Sequence, residues 1–149
     1  MSVLTRLLIV IAIIALAALF GAWWRRRDGR VRVGDGRFAP AQLLELGLRP
    51  GSAEAFAVLL GSPTCAPCKT VRSVLEGVAE DRRGFAWVSV DAADHLDLAR
   101  AHHVLRVPTL FVLDRRGRIL ARTSGVPAER DLLRVLDREG DLEGAASGR

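Results

Sequence analysis

The chain has 149 residues and a formal net charge of +5, and that charge is concentrated at one end. Residues 1–37 contain seven Arg and two Asp, whereas residues 38–149 contain 15 basic and 15 acidic side chains. A neutral globular part excludes nucleic-acid binding driven by overall charge, despite a sequence pI of about 10.8. Half of the residues are hydrophobic, which excludes a disordered chain, and the length fits one domain of ordinary size.

An uncharged apolar run occupies residues 7–24. As a helix it would be about 27 Å long, close to the hydrocarbon thickness of a bilayer. Trp23 and Trp24 end the run, where amphipathic rings favour the membrane interface. We therefore predict a retained transmembrane anchor over residues 1–24 that contacts lipid through residues 7–24. A buried core helix and a cleaved signal peptide are the alternatives, and the bulk of Phe20 near a possible cleavage site disfavours the second.

Basic residues follow this run and hardly precede it. Arg6 alone lies before it, whereas five Arg follow within ten residues: Arg25, Arg26, Arg27, Arg30 and Arg32. Because basic residues near a span stay on the cytoplasmic side, the soluble domain is predicted on the cytoplasmic face of the cell membrane. The alternative is that these Arg bind anionic headgroups of either leaflet. Residues 25–37 are predicted to form a basic juxtamembrane linker.

Residues 38–139 alternate helical and strand-like patterns and are predicted to form the folded domain. The predicted elements are a short helix (40–46), a buried strand (54–60), a helix (66–82), a strand (85–90), a helix (94–102), a buried strand (109–113), a hairpin turn (114–117), a strand (118–123) and a helix (127–138). This order predicts an α/β fold, with a mixed sheet and helices on both faces. Residues 140–149, rich in Gly and Ser, are predicted to be a flexible C-terminal tail.

The two cysteines, Cys65 and Cys68, lie where a predicted strand ends and a predicted helix begins. Amides in the first turn of a helix have no intrahelical acceptor, and the helix dipole favours negative charge there. A thiolate at this place is stabilised and becomes a nucleophile at neutral pH. Pro67 lacks an N–H and suits the first helical turn. The spacing therefore predicts a reactive thiol pair.

At these residues the chain resembles the thioredoxin superfamily. The run Cys65-Ala66-Pro67-Cys68 matches the family's C-x-P-C motif, and Val107-Pro108-Thr109 matches its cis-proline loop before a buried strand. Gly125 follows the hairpin where the family usually has Gly before the last helix. The match covers about residues 38–138, and it implies a thioredoxin-like mixed sheet preceded by one transmembrane helix.

The resemblance also implies roles for the matched residues. Cys65 would be the exposed nucleophile that attacks a substrate disulfide, and Cys68 would be the buried thiol that resolves the mixed disulfide. Pro108 in cis would keep a backbone N–H away from the sulfurs and hold Val107 so that its backbone pairs with a substrate strand. Thr64, Ala66, Pro67 and Thr109 would support this site. Lys69 is interpreted as a solvated helix residue.

Three positions depart from the family pattern. Thr64 replaces the Trp that usually precedes the first Cys, and Gly61 replaces a second common Trp. Leu59 replaces a buried Asp, which is proposed in the family to manage the proton of the resolving thiol. Without that carboxylate, proton transfer at Cys68 would need water or another group. We therefore expect a specialised family member with a narrow range of partners.

The direction of electron flow is read from the residues between the cysteines and from the predicted compartment. Ala66-Pro67 is close to the Gly-Pro of reducing members and lacks the His of oxidising ones. Because cytosolic thiols are kept reduced, we predict a membrane-tethered protein-disulfide reductase. The resemblance implies no cofactor beyond the Cys65–Cys68 disulfide. It implies a disulfide-containing protein substrate and an unidentified thiol electron donor. We expect a monomer that binds no nucleic acid.

Three other readings remain open. An extracytoplasmic enzyme would exchange disulfides of exported proteins or act in cytochrome assembly, and a binding module would keep the cysteines inert. A zinc site would combine the cysteines with His95, His102 or His103, but only one Cys pair is available. Adjacent His residues on a helix point about 100° apart, so we predict no metal and place these His at the surface.

Overall fold

The computed structural model describes residues 3–27 and 30–147. Its first helix, α1 (Val3–Arg27), contains the span Thr5–Trp23, no part of which is buried against the rest of the protein. In the described part of the chain, this helix alone is long and apolar enough to cross a membrane; a signal sequence would pass the same test. Met1 and Ser2 of the predicted anchor lie outside the described residues. The buried-core alternative is wrong, because the span Thr5–Trp23 is not buried inside the protein.

A mixed sheet organises the rest of the chain, as predicted, but it has five strands where the sequence predicts four. Its strands are β1 (Arg32–Val33), β2 (Ala55–Gly61), β3 (Phe85–Asp91), β4 (Thr109–Asp114) and β5 (Ile119–Ser124). Their order across the sheet is β1-β5-β4-β2-β3, and only β2 and β3 are parallel among the paired strands. Every residue of β2 is buried, because the strand is central and both of its faces are covered.

Helices cover both faces of the sheet. On one face, α2 (Pro40–Glu45) and α4 (Leu96–Ala101) pack over a cluster that contains Phe38, Phe56 and Phe111. On the other face, α3 (Ala66–Asp81) and α5 (Glu129–Ser147) pack over a cluster that contains Leu59, Val71 and Leu132. The side chains of β2 alternate between the two clusters, as the pleat of a strand requires. The predicted α/β fold with helices on both faces is confirmed.

The predicted elements of the domain lie within two residues of the observed ones, except at the C-terminal end of the last helix. That helix was expected to end at Arg138, before a tail over residues 140–149, but α5 continues to Ser147. Gly140 and Gly144 each disfavour a helix by about 1 kcal/mol, yet Ala145 and Ala146 are strong helix formers. Local composition therefore placed the end too early. Gly148 and Arg149 lie outside the described residues.

Residues 25–37, predicted to be a linker, contain regular structure on both sides of Asp28 and Gly29, which lie outside the described residues. Before them, α1 continues through Arg27. After them, Arg32 pairs with Arg122 and Val33 with Ala121, so β1 extends the sheet beyond β5. The alternation of Arg and Val over residues 30–33 is a strand pattern, but four residues were too short to predict one.

Candidate active site

The two cysteines lie at the junction of β2 and α3, as predicted. Cys65 is the N-cap of α3, and its N–H donates to the carbonyl oxygen of Ser62 (3.2 Å). Pro67 follows in the first turn of the helix. The cysteines form a disulfide with an S–S distance of 2.11 Å and a Cα–Cα distance of 5.3 Å. The disulfide therefore joins the N-cap residue of α3 to a residue in the first turn of the same helix.

The two sulfurs differ in exposure and in contacts. Cys68 is completely buried, whereas Cys65 is half-buried. Thr64, Ala66 and Pro67 around Cys65 are exposed. The backbone N–H of Cys68 donates to Cys65 Sγ (3.2 Å), so a donor at the start of α3 is directed at this sulfur. Such a donor, together with the helix dipole, stabilises negative charge on Cys65 when the disulfide opens.

The predicted proline loop lies at the same edge of the sheet as the cysteines. Leu60 pairs with Thr109, so the end of β2 lies beside the start of β4. The Val107–Pro108 peptide bond is cis, as the resemblance implied. Pro108 is buried, whereas Val107 is 37% exposed. The sheet thus brings the two matched motifs together.

Hydrogen bonds on both sides of Pro108 fix this loop to β5. Thr109 is buried, and its Oγ1 donates to the carbonyl oxygen of Arg106 (2.7 Å) and lies 3.4 Å from Ser124 Oγ. The carbonyl oxygen of Pro108 accepts from the N–H of Gly125 (2.9 Å). Gly125 has a φ of 95°, a conformation that favours Gly. This explains why Gly follows the hairpin and why Thr follows the proline.

Gly61 has no side chain and so leaves room for the buried sulfur of the disulfide, a role that sequence reasoning missed. A Cβ atom on Gly61 would lie 3.1 Å from Cys68 Sγ and 3.5 Å from Cys68 Cβ. The last residue of β2 is therefore small because the buried sulfur packs against its backbone. The sequence signal was present, since a Gly at the end of a strand indicates a close approach by another group. In the resemblance, Gly61 counts only as the position of a missing Trp.

Replacing Gly61 with Ala is expected to lower the free energy of unfolding of the oxidised protein by about 1–2 kcal/mol, because the new methyl group crowds Cys68 Sγ. Gly77→Ala in α3 is the matched control, since no atom lies within 4 Å of its Cβ position. This control should stabilise the helix by up to about 1 kcal/mol. Urea unfolding of the full chain in neutral detergent micelles measures both. Equal stability of Gly61→Ala and wild type would contradict the close contact.

Leu59 lies in the apolar core beneath the site. Its side chain is fully buried in the cluster that includes Leu75, Leu110 and Leu132. The family's buried Asp at this position is thus replaced by a residue that belongs to the core. Lys69, next to Cys68, is exposed, in agreement with its interpretation as a solvated helix residue.

The His residues do not form a metal site with the cysteines. Among the described residues, no group of three or more His, Cys, Asp or Glu is placed to hold a metal ion. The surface placement predicted for His102 is wrong, because its ring is half-buried and stacks on Phe38 at 3.9 Å between centroids. Burial, with help from Arg122 and His103, lowers the pKa of His102 below its usual value. Aromatic stacking therefore accounts for this His.

Comparison with known proteins agrees with the geometry. The thioredoxin family model matches residues 51–138. A thioredoxin of Staphylococcus aureus is 32% identical over 75 residues, which are 50% of this chain and 71% of that protein. A monothiol glutaredoxin-4 of Schizosaccharomyces pombe is 32% identical over 78 residues, which are 52% of this chain. The chain spans only 32% of the length of that glutaredoxin.

Solved structures show the same fold at lower identity. A mutant thioredoxin from Halobacterium salinarum superimposes with a TM-score of 0.56 at 22% identity, covering 70% of this chain and 86% of that one. A chloroplastic thioredoxin z gives a TM-score of 0.57 at 19% identity, covering 74% and 98%. These likenesses concern the fold alone.

Proposed function

Because the chain belongs to the thioredoxin family and closes a C-x-x-C disulfide of the thiol-disulfide oxidoreductase type, we propose that it reduces disulfides of partner proteins while α1 holds it at a membrane. The observation that carries the proposal is the asymmetry of the pair. Cys65 is accessible and accepts a hydrogen bond from the first turn of α3, whereas Cys68 is completely buried. This arrangement suits one attacking thiol and one resolving thiol.

The proposed reaction is a dithiol–disulfide exchange in two steps. The thiolate of Cys65 attacks one sulfur of the substrate disulfide, which forms a mixed disulfide and releases the other substrate sulfur as a thiolate. The thiolate of Cys68 then attacks Cys65 Sγ, which closes the Cys65–Cys68 disulfide and releases the second substrate sulfur. Two electrons and two protons pass to the substrate. An external thiol donor, not identified by the sequence, must reduce the pair again.

The residues around the pair have supporting roles in this proposal. The exposed surface formed by Thr64, Ala66 and Pro67 surrounds the attacking sulfur, so a substrate segment would lie against it. Val107 is partly exposed at the same edge of the sheet, where its backbone would pair with that segment. Pro108 and Thr109 would fix the loop through their bonds to Gly125 and Arg106. No cofactor beyond the disulfide is required.

The proposed reducing direction is tested by the reduction potential of the pair. We expect a value below about −200 mV, because Ala66-Pro67 offers no His to stabilise the thiolate further. Equilibration of the full chain with glutathione redox buffers, followed by mass spectrometry of alkylated cysteines, measures it. A potential near −120 mV, typical of strong dithiol oxidants, would contradict a reductase and favour the extracytoplasmic alternative.

We further propose that α1 is a retained anchor and that the domain faces the cytoplasm. The support is the apolar span Thr5–Trp23 and the basic residues that follow it. A membrane-impermeant maleimide added to intact cells should leave the reduced cysteines unlabelled and should label them after lysis. Labelling before lysis would place the domain outside. Recovery of a mature chain that lacks residues 1–22 would show instead that the helix is a cleaved signal sequence.

A further inference from the structure

A cleft rich in Arg lies at the β1 edge of the sheet, opposite β3. None of the side chains given a role in the proposed thiol chemistry lines this cleft. It is enclosed by residues 30–37, here called the N-terminal segment, and by the end of α4 with the loop that follows it. Its volume is about 570 Å³, within the range of sites for small ligands. We call it the basic cleft, after its five Arg: Arg30, Arg32, Arg37, Arg106 and Arg122.

The cleft joins charges from two parts of the chain. Three Arg come from the N-terminal segment, which precedes the neutral domain, and two come from the domain itself. Asp35 is the single carboxylate among the described residues that line the cleft. In the described ranges, 3–27 and 30–147, no carboxylate forms an ion pair with Arg122 or with the three Arg of the N-terminal segment. Within the described ranges, the positive charge of these four Arg is therefore not neutralised by an ion pair.

Arg122 is fixed in the wall of this cleft. Its Nη1 donates to the carbonyl oxygen of His102 (2.9 Å), and its Nη2 donates to that of His103 (2.7 Å). Its Cζ lies 5.2 Å from the centroid of the Phe111 ring. A guanidinium carries five N–H donors, so these two bonds hold the group in place and leave donors for a ligand. Holding a cation by neutral carbonyls keeps its full charge available.

His102 adds an unsatisfied polar atom to the same wall. It lines the cleft, and its Nε2 is buried without a hydrogen-bond partner. A neutral imidazole nitrogen can donate or accept a hydrogen bond, so the positive charge of the Arg, and not His102, indicates that the ligand of this cleft is an anion.

We propose that the basic cleft binds a phosphate group. Guanidinium groups pair with phosphate oxygens through two parallel hydrogen bonds, and several Arg around one fixed Arg122 suit a group with more than one negative charge and several acceptor oxygens. A ligand with only one carboxylate would pair with fewer of these Arg than a phosphate group would. The proposal goes beyond disulfide exchange and assigns the Arg of the N-terminal segment to a ligand.

The phosphate group has two possible sources. Arg30 is three residues after the end of α1 at Arg27, a distance of at most about 11 Å along the chain. If α1 spans a membrane, as proposed above, the cleft lies near the headgroups, and an anionic lipid supplies the phosphate. The second source is a soluble phosphate compound. The chemistry is the same in both cases, so the experiment separates them.

Phosphorus-31 NMR of the full chain tests the proposal in two samples. In the first, inorganic phosphate is titrated into the protein in neutral detergent micelles. In the second, the protein is placed in nanodiscs of phosphatidylcholine with a minor fraction of phosphatidic acid. Arg122→Gln is the principal variant, and Arg32→Gln/Arg37→Gln, at two exposed positions, serves if Arg122→Gln fails to fold. Arg116→Gln is the control, since Arg116 is exposed and does not line the cleft.

We expect wild type to bind phosphate in at least one sample, with affinity reduced about tenfold or more by Arg122→Gln and changed less than about twofold by Arg116→Gln. Binding in nanodiscs alone would identify a lipid headgroup, and binding in micelles would identify a soluble phosphate. The proposal is overturned if neither sample shows binding that the cleft variants weaken more than the control does. Both outcomes are independent of disulfide reduction, which the cleft variants should leave unchanged.

Discussion

Replacing Cys65 with Ser is expected to abolish disulfide reduction by the full chain. The half-buried Cys65 sulfur accepts the N–H of Cys68, and in the proposed reaction it is the atom that attacks the substrate. Reduction of insulin by dithiothreitol, followed by turbidity, should fall to the rate of dithiothreitol alone. The buried Cys68 cannot substitute for it, because its sulfur is inaccessible to a protein substrate.

Ser73→Ala is the matched control for this loss. Ser73 lies on the exposed face of α3, and its hydroxyl donates only to the carbonyl oxygen of Lys69. The control should keep the wild-type rate, which separates a lost nucleophile from general damage to the helix. Full activity in Cys65→Ser would show that Cys65 is not the attacking thiol, and rates equal to that of dithiothreitol alone in both wild type and variant would favour a binding module with inert cysteines.

Introducing an acid at Leu59 is expected to destabilise the protein strongly and in a pH-dependent way. Leu59 is fully buried between α3 and the sheet, and burial would hold the pKa of a new carboxyl above its usual value of about 3.9. Below about pH 3.9 the new carboxyl is protonated in both the folded and the unfolded protein. There, Leu59→Asp lowers the free energy of unfolding only by the cost of burying a neutral polar group in place of Leu. As the pH rises, stability falls by about 1.4 kcal/mol per pH unit until the folded-state pKa is reached.

Leu59→Asn separates the charge from the loss of packing. The amide has nearly the same size and does not titrate, so its penalty should not change with pH. Urea unfolding of both variants between about pH 4 and pH 7 makes the comparison, with an expected difference of about 3 kcal/mol at the upper end. Equal penalties at all pH values would show that water reaches Leu59. The site beneath Cys68 would then be less dry than the packing indicates.

The site was predictable from sequence where local chemistry and spacing determine it. Cys65 and Cys68 were placed at a strand-to-helix junction because a buried apolar run and an amphipathic pattern meet there, and Pro67 fits the first turn. The proline loop followed from resemblance, since nothing in the residues themselves dictates that Val107 and Pro108 lie near Cys65. That proximity comes from the antiparallel pairing of β2 and β4.

Contacts between distant segments were not predictable. Gly61 was missed because its role depends on where Cys68 Sγ lies in three dimensions. β1 was missed because a two-residue strand is stabilised by the existing edge of β5 and not by its own length. His102 was misplaced because the ring that stacks on it, Phe38, is far away in sequence. The early end predicted for α5 reflects composition alone.

The uneven charge of the chain acquires a location in the structure. All of the net positive charge of the chain lies in residues 1–37, where it indicates the orientation of the domain at a membrane. Part of that charge lines a cleft with Arg122 and therefore has a specific position against the domain. Orientation and ligand binding thus become separate questions about the same basic segment.

Trapping of a mixed disulfide by Cys68→Ser tests the central claim most directly. The variant is incubated with insulin in its disulfide form, and adducts are resolved without reductant and mapped by mass spectrometry. The mechanism predicts a stable insulin adduct on Cys65, absent from the double variant Cys65→Ser/Cys68→Ser and released by dithiothreitol. Failure of Cys68→Ser to form any adduct, or an equal yield on Cys68 in the Cys65→Ser variant, would contradict the assignment of Cys65 as the nucleophile.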